Sequence, residues 1–336
     1  MICPTCATEN RPAAHFCHAC GSPLPAERPA ETTAPAVERA VTTAPTISTG
    51  RIRIAVGLAT AQGIEQEINQ DSLLALSLIP LTSGRSSPTL GLFAIADGMS
   101  QHLGETASRL AVQTLAQGVT LQVLMAELSD ESCLEETLAV ALTESVAEAN
   151  ARLYAAAQNS GHALVSTLAA VLLRDELAVV ASVGDSRVYH GHDGRLQQVT
   201  TDHSVVQRLL ETGQITAEEA ATHPQRGVLY RSLGDRPQVE VDTFTLRLSP
   251  GDRLLLCCDG VWGVLSEEQL GEVLASFAGP QQASEEAVRR AMAAGTTDNA
   301  SVLVIAVDDT AAQAVCQGQE WRKEYLDRLT PSGNRR

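Results

Sequence analysis

Apolar positions along the chain follow two rhythms. Arg51 to Leu58 alternates and predicts a strand, and a second strand runs from Asp71 to Ile79. Pro80 to Gly91 reads as a hairpin loop, and Leu92-Phe-Ala-Ile-Ala96 is a continuous apolar run of the kind that fills a buried strand. The spacing then changes to three-four over Gly104 to Leu128 and Leu134 to Gln158, which predicts two long amphipathic helices. Strands follow at Leu164–Leu173, Glu176–Val183 and Arg187–His190. Short helices come next within Ser204–Leu210 and Thr216–Ala220, the second opening on a capping box at Thr216-Ala-Glu-Glu219. Val239–Leu248 and Asp252–Cys258 are strands, Ser266–Phe277 and Ser284–Ala294 helices, and Ala300–Val307 closes the sheet. Sheet and amphipathic helix in this alternation predict an α+β fold in which two sheets pack together under helices.

Acids gather where these apolar runs stop. The run ending at Ala96 delivers Asp97-Gly98, Leu254-Leu-Leu-Cys-Cys258 delivers Asp259-Gly260, and Val179-Val-Ala-Ser-Val183 delivers Gly184-Asp185. Asp298-Asn299 and Asn69-Gln70-Asp71 each precede a strand. One such Asp is either a cap or turn residue or a ligand. Several that converge repel one another, and hard divalent cations with oxygen ligands are the usual compensation. The pattern therefore points to a Mg2+ or Mn2+ site.

Taken in order, these pieces resemble the metal-dependent protein phosphatases, the type 2C serine/threonine phosphatases, in their bacterial form. The matching segments are Asn69-Gln70-Asp71, Ala96-Asp97-Gly98-Met99 with Gly104-Glu105-Thr-Ala-Ser108, Ser166-Thr167, Gly184-Asp185-Ser186-Arg187, Thr201-Asp202-His203-Ser204, Asp259-Gly260 and Asp298-Asn299, between about Arg51 and Val307. The resemblance implies a four-layer α-β-β-α sandwich of mainly antiparallel sheets. It also implies hydrolysis of phosphoserine and phosphothreonine by a metal-activated water, with two cations sharing a carboxylate. Asp97 is then the bridging ligand, and with Asp71 the catalytic pair. The Gly98 carbonyl and water held by Gln70 and Asp71 serve the second ion, and Asp259 and Asp298 complete the first. Asp185 matches a position that holds a third, weaker ion in bacterial relatives, or is a plain turn residue.

Two departures stand out. Relatives commonly carry an Arg three residues before the Asn of Asn-Gln-Asp, where it grips substrate phosphate; here that residue is Gln66, and a bidentate contact is lost. Arg187 or an arginine of the first strand replaces it only if the fold brings one close. Animal relatives carry a His directly after the Asp-Gly, whereas this chain has Met99, as bacterial relatives do. His102 and His203 are read as structural.

The N-terminus is a separate matter. Cys3-Pro-Thr-Cys6 and Cys17-His-Ala-Cys20 place two thiolate pairs on tight turns, the spacing of a tetrahedral structural Zn2+ site, with a redox dithiol pair or ordinary free cysteines as the other readings. The chain divides into a zinc ribbon over 1–24, a Pro/Ala/Thr-rich disordered linker over 25–50, a phosphatase domain over 51–310 and a tail over 311–336. A formal net charge of −16 over 336 residues disfavours nucleic acid and anionic membranes as partners of the main domain. With no apolar run of roughly 18 residues and no leader-like start, the expected setting is cytoplasmic. Expected partners are phosphorylated proteins and a cognate serine/threonine kinase. Two other readings keep the fold: a catalytically weak or inactive phosphoprotein binder, and a ribbon-centred binding module regulated by the large domain.

Overall fold

The computed structural model describes residue 8 and residues 52–78, 88–100, 103–128 and 135–309. The zinc-ribbon cysteines, the linker and the tail lie outside the described residues, as does His102.

Ten strands and seven helices are described: β1 (Ile52–Ala61), β2 (Asp71–Leu78), β3 (Leu90–Asp97), α1 (Gly104–Leu128), α2 (Glu135–Ser160), β4 (Leu168–Arg174), β5 (Leu177–Val183), β6 (Arg187–His192), β7 (Arg195–Gln198), α3 (Val205–Glu211), α4 (Ala217–Ala221), β8 (Asp242–Arg247), β9 (Arg253–Cys257), α5 (Asp259–Trp262), α6 (Glu267–Ser276), α7 (Pro280–Ala293) and β10 (Ala300–Asp309). They form two five-stranded sheets, a first of order β2-β3-β4-β5-β8 and a second of order β1-β10-β9-β6-β7. Every pairing is antiparallel.

The apolar strands are central because both of their faces are covered. Leu92 to Ala96 of β3 are 0% exposed, their odd and even positions feeding different clusters. Phe93 and Ile95 join Leu303 and Leu256 in the cluster that fills the space between the sheets, while Leu92 and Ala94 join Leu115 and Leu142 of α1 and α2. On the other flank α7 seats Ala287 and Val288 against the second sheet. The layers are thus helix, sheet, sheet, helix.

Element boundaries shift where polar anchoring competes with periodicity. Leu164 to Thr167 were expected in a strand, but β4 begins only at Leu168, because Ser166 instead makes isolated bridges to Gly98 and Leu233. Helix α7 starts a turn earlier than the apolar spacing indicates, with Pro280 in its first turn, where a missing N–H costs nothing. The capping box at Thr216 is present, and Ser266 with Gln269 forms another.

Candidate active site

Asp71 opens β2 and Asp97 closes β3, and the antiparallel register sets them directly opposite each other. Such pairs project to the same face with Cβ atoms about 5 Å apart, so two like charges there are destabilising. The second sheet adds Asp259, just past β9, and Asp298, just before β10, at the same end of the sandwich. A fifth acid, Asp185, sits in the β5–β6 turn and is 5% exposed. Asp97, Gly98, Asp185, Asp259 and Asp298 line one cleft of about 510 Å3 with Gln66. Asp71 lies behind them, where its Oδ2 accepts from Ser301 Oγ at 2.6 Å.

The loops carrying these acids are tied down by short-range contacts. The Asp97 N–H donates to Thr167 Oγ1 at 3.0 Å, while its carbonyl accepts from the Thr167 N–H and from Ser166 Oγ, both at 2.8 Å. That is the physical work of the Ser166-Thr167 pair. Asn299 Oδ1 accepts from the Gln70 N–H at 2.9 Å, linking the loops before β2 and β10. Gly98 meets a requirement beyond carbonyl access: a Cβ there would sit 2.0 Å from the Gly104 carbonyl oxygen, so any side chain would push α1 off the end of β3. Gly260 is confined in the same way, 2.0 Å from the Asn299 carbonyl oxygen.

Electrostatics confirm that the acids converge. Burial, then repulsion from Asp71, Asp259, Asp298 and Asp185, holds Asp97 well above the ordinary carboxylate range. Burial and the neighbouring acids push Asp71 up to about 7 and Asp259 to about 6. Asp185 is raised well above its ordinary value by burial and by Asp259 and Asp202. Asp71 Oδ1 and Asp259 Oδ1 are buried and have no hydrogen-bond partner among the described residues. Buried carboxylate oxygens without donors are costly, and a hard divalent cation is the species that satisfies several at once. The residues present fit such an ion.

Of the arginines suggested by the sequence, Arg187 and Arg53 are each paired with a carboxylate, although Arg187 also lines a hollow beside Asp185, Asp259 and Asp298, and Arg51 lies outside the described residues. Arg187 is spent on Asp202, with Nη2 to Oδ2 at 2.7 Å and Nε to both oxygens, and its guanidinium stacks 3.8 Å over the Trp262 ring. Trp262 in turn donates its indole N–H to the Asp185 carbonyl at 2.9 Å, so this assembly braces the Asp185 turn. Arg53 of the first strand pairs with Asp308 at the opposite end of β1. Gln66 Nε2 donates to Asp298 Oδ1 at 2.8 Å and orients a candidate ligand.

Arg226 went unnoticed in the sequence. It is exposed, lines a hollow of about 520 Å3 shared with Asp185, Asp259 and Asp298, and makes no ion pair among the described residues. Nothing periodic marks it, since it lies in a turn between α4 and β8.

His203 is structural but is not the helix cap, which is Ser204. Its Nδ1 accepts the Gly184 N–H at 3.0 Å and its Nε2 faces Asp242 at 3.2 Å. Met99 is 43% exposed, beside the cleft.

Acid-bearing strand ends from two stacked sheets, meeting in one cleft under a helical layer on each side, define a hydrolase of the metal-assisted phosphatase type. A family model described as protein phosphatase 2C matches residues 63–311, and the chain belongs to that family; it is a serine/threonine protein phosphatase. The serine/threonine phosphatase stp of Listeria monocytogenes serovar 1/2a is 36% identical over 219 residues, 64% of this chain and 84% of that protein. Protein phosphatase PhpP of Streptococcus pneumoniae serotype 2 is 31% identical over 224 residues, 66% and 88% of the two chains. Among solved structures, the Mycobacterium tuberculosis serine/threonine phosphatase PstP/Ppp aligns with a TM-score of 0.64 at 29% identity, covering 76% of this chain and 99% of its own. The catalytic domain of PstP in complex with two manganese ions aligns at 0.61 and 27%, covering 77% and 100%.

Proposed function

We propose that this chain hydrolyses phosphoserine and phosphothreonine in proteins at a Mn2+ or Mg2+ centre held by Asp71, Asp97, the Gly98 carbonyl, Asp259 and Asp298, with Asp185 serving a third ion. Convergence of these acids, with orphaned oxygens on Asp71 and Asp259, carries the reading. The manganese-bound PstP domain supports the choice of ion. Bound there, divalent ions supply charge compensation for the phosphoryl oxygens and a water of lowered pKa.

The side chains of this chain hold, orient and steer. Thr167 and Ser166 fix the backbone of Asp97, and Ser301 fixes Asp71. Gln66 keeps Asp298 turned into the cleft, a role an arginine there would exchange for direct phosphate contact. Arg226 takes over the phosphate grip from the hollow beside the acids, where its fork of donors suits phosphoryl oxygens. With Met99 after the Asp-Gly, the departing alkoxide takes its proton from solvent.

Hydrolysis of a phosphothreonine peptide with Mn2+, with EDTA and with Asp97→Asn tests the mechanism. Activity lost in the last two arms is expected. Activity indifferent to both would overturn it, and binding of the peptide without turnover in any arm would make the chain a phosphoprotein reader.

We further propose the domain plan read from the sequence: a zinc ribbon over 1–24 on Cys3, Cys6, Cys17 and Cys20, a linker to 50, the catalytic domain over 51–310, and a tail. The paired Cys-x-x-Cys spacing supports it. Loss of zinc from the Cys3→Ser/Cys6→Ser chain checks the ligand set.

A further inference from the structure

We propose that His190, His192 and Asp252 form a second metal site, which takes a borderline transition-metal cation such as Zn2+ and lies at the end of the second sheet remote from the acid cleft. It stands independently of the catalytic reading.

Strand periodicity makes the site. His190 and His192 are two apart on β6, so both project to one face. Gly191 between them pairs with Arg253 at the start of β9, which sets Asp252 across from His192 as the register continues. His190 Nε2 lies 2.9 Å from Asp252 Oδ2, and His192 Nδ1 lies 2.5 Å from Asp252 Oδ1. One ligand atom from each of the three residues falls within 4.8 Å of the other two. Tetrahedral zinc with bonds of about 2.0–2.1 Å needs ligand atoms about 3.3 Å apart, so the His–Asp separations of 2.9 and 2.5 Å open and the wider separations, up to 4.8 Å, close by side-chain rotation.

The site is built as well as clustered. Asp252 is 3% exposed in its side chain, and its Oδ2 also accepts the Ser249 N–H at 2.9 Å, which fixes the carboxylate as outer-shell donors do at metal centres. His192 is 52% exposed, which gives an entry path and leaves a fourth position open to solvent. Donor chemistry separates this site from the cleft. Two imidazole nitrogens and one carboxylate suit zinc and its neighbours, whereas all-oxygen ligands suit Mg2+ and Mn2+.

Seven residue steps of mostly extended chain separate Asp252 from Asp259, about 23 Å at 3.3 Å per step, so the ion is no extension of the catalytic set. Its mechanical effect follows from topology. The four-residue β7 is the edge of its sheet and is held through β6. An ion spanning β6 and the β9 entry staples that edge, and it does so on the strand whose other end carries Arg187. Without an ion, the same atoms make a hydrogen-bonded His-Asp-His triad, and that is the competing account.

The test uses the full chain carrying Cys3, Cys6, Cys17 and Cys20 all changed to Ser, so that the N-terminal thiolate cluster adds no zinc. Excess Mg2+ occupies the cleft. After EDTA treatment and dialysis against Zn2+, metal is counted by mass spectrometry, and melting is followed with and without Zn2+. Expected is one zinc equivalent and a zinc-dependent rise in Tm, both lost in His192→Ala, with Mn2+-dependent phosphatase activity kept within twofold. His192→Gln retains a donor for Asp252 yet ligates zinc poorly, so it should also lose the equivalent if His192→Ala fails to fold. Equal zinc counts and equal melting shifts in the parent chain and the Gln variant would overturn the proposal in favour of the triad.

Discussion

Strand β9 is flanked by an aspartate at each end, Asp252 before it and Asp259 after it, and the two meet opposite electrostatics. Asp252 is buried, but hydrogen bonds from His192, Ser249 and His190 outweigh that burial and hold its carboxyl below the usual range. Asp259 is surrounded by other acids, and burial with repulsion from Asp298 lifts it to about 6. One end of the sheet brings its own compensating donors; the other leaves its oxygens unpaired. Unpaired buried carboxylates call for an external cation, so the contrast locates the catalytic acids without reference to any motif, whereas at the Asp252 end an ion would take the place of donors that the imidazoles already supply.

Breaking the acid end should have the largest effect. Asp97→Asn or Asp259→Asn is expected to lower kcat on a phosphothreonine peptide by about 10^3-fold or more, since metal-assisted charge stabilisation is worth several kcal/mol. Metal-free, the Asp97→Asn chain should melt higher than the parent at neutral pH, because one of the mutually repelling charges is gone. A lower melting point would mean that Asp97 is structurally compensated in some other way.

Arg226→Ala should raise KM by about 10- to 100-fold with kcat little changed, the value of one charged hydrogen bond at about 1.5–3 kcal/mol. An unchanged KM in steady-state kinetics would leave the phosphate grip elsewhere. Trp262→Phe removes the indole N–H from the Asp185 carbonyl while keeping most of the ring under Arg187, and should cost about 1 kcal/mol in urea denaturation.

The smallest effect lies at the Gly184 turn. Burial, with Arg231 adding to it, lowers the His203 pKa below 6.5, and Nδ1 must stay unprotonated to accept the Gly184 N–H. The folded state therefore binds fewer protons here than the unfolded chain. This contribution is fully present above the unfolded value of about 6.5 and is lost as pH falls through the lowered folded value. Denaturation of parent and His203→Gln chains between pH 7 and pH 5 should show a steeper loss in the parent; parallel curves would remove His203 from the account.

Much of this molecule was legible in one dimension. The apolar run before Asp97 predicts a central strand because both faces of such a strand must be covered, and Phe93 and Leu92 do enter different cores. Three-four spacing predicted α1 and α2 to within a few residues, for burial of one helical face imposes that period. Acids at the ends of apolar runs were visible for the same reason: a charge cannot lie inside the run, so it marks where the run leaves the core.

Other facts required the third dimension. That Asp71 and Asp97 are partners depends on the β2–β3 register. That Asp259 and Asp298 join them depends on how two sheets stack. Spacing along the chain carries neither. Arg187 looked available in the sequence and is consumed by Asp202 and Trp262, whereas Arg226, in an irregular turn, had no periodic signal and yet faces the acids. His190 ended the strand read from the sequence and His192 lay beyond it, whereas β6 runs on to His192 and the β6–β9 register brings Asp252 beside both. Local patterning determined which residues are buried and where charge emerges, because solvation acts residue by residue. Which charges meet was decided by strand pairing and sheet packing, because Coulomb and ligand interactions depend on distance through space.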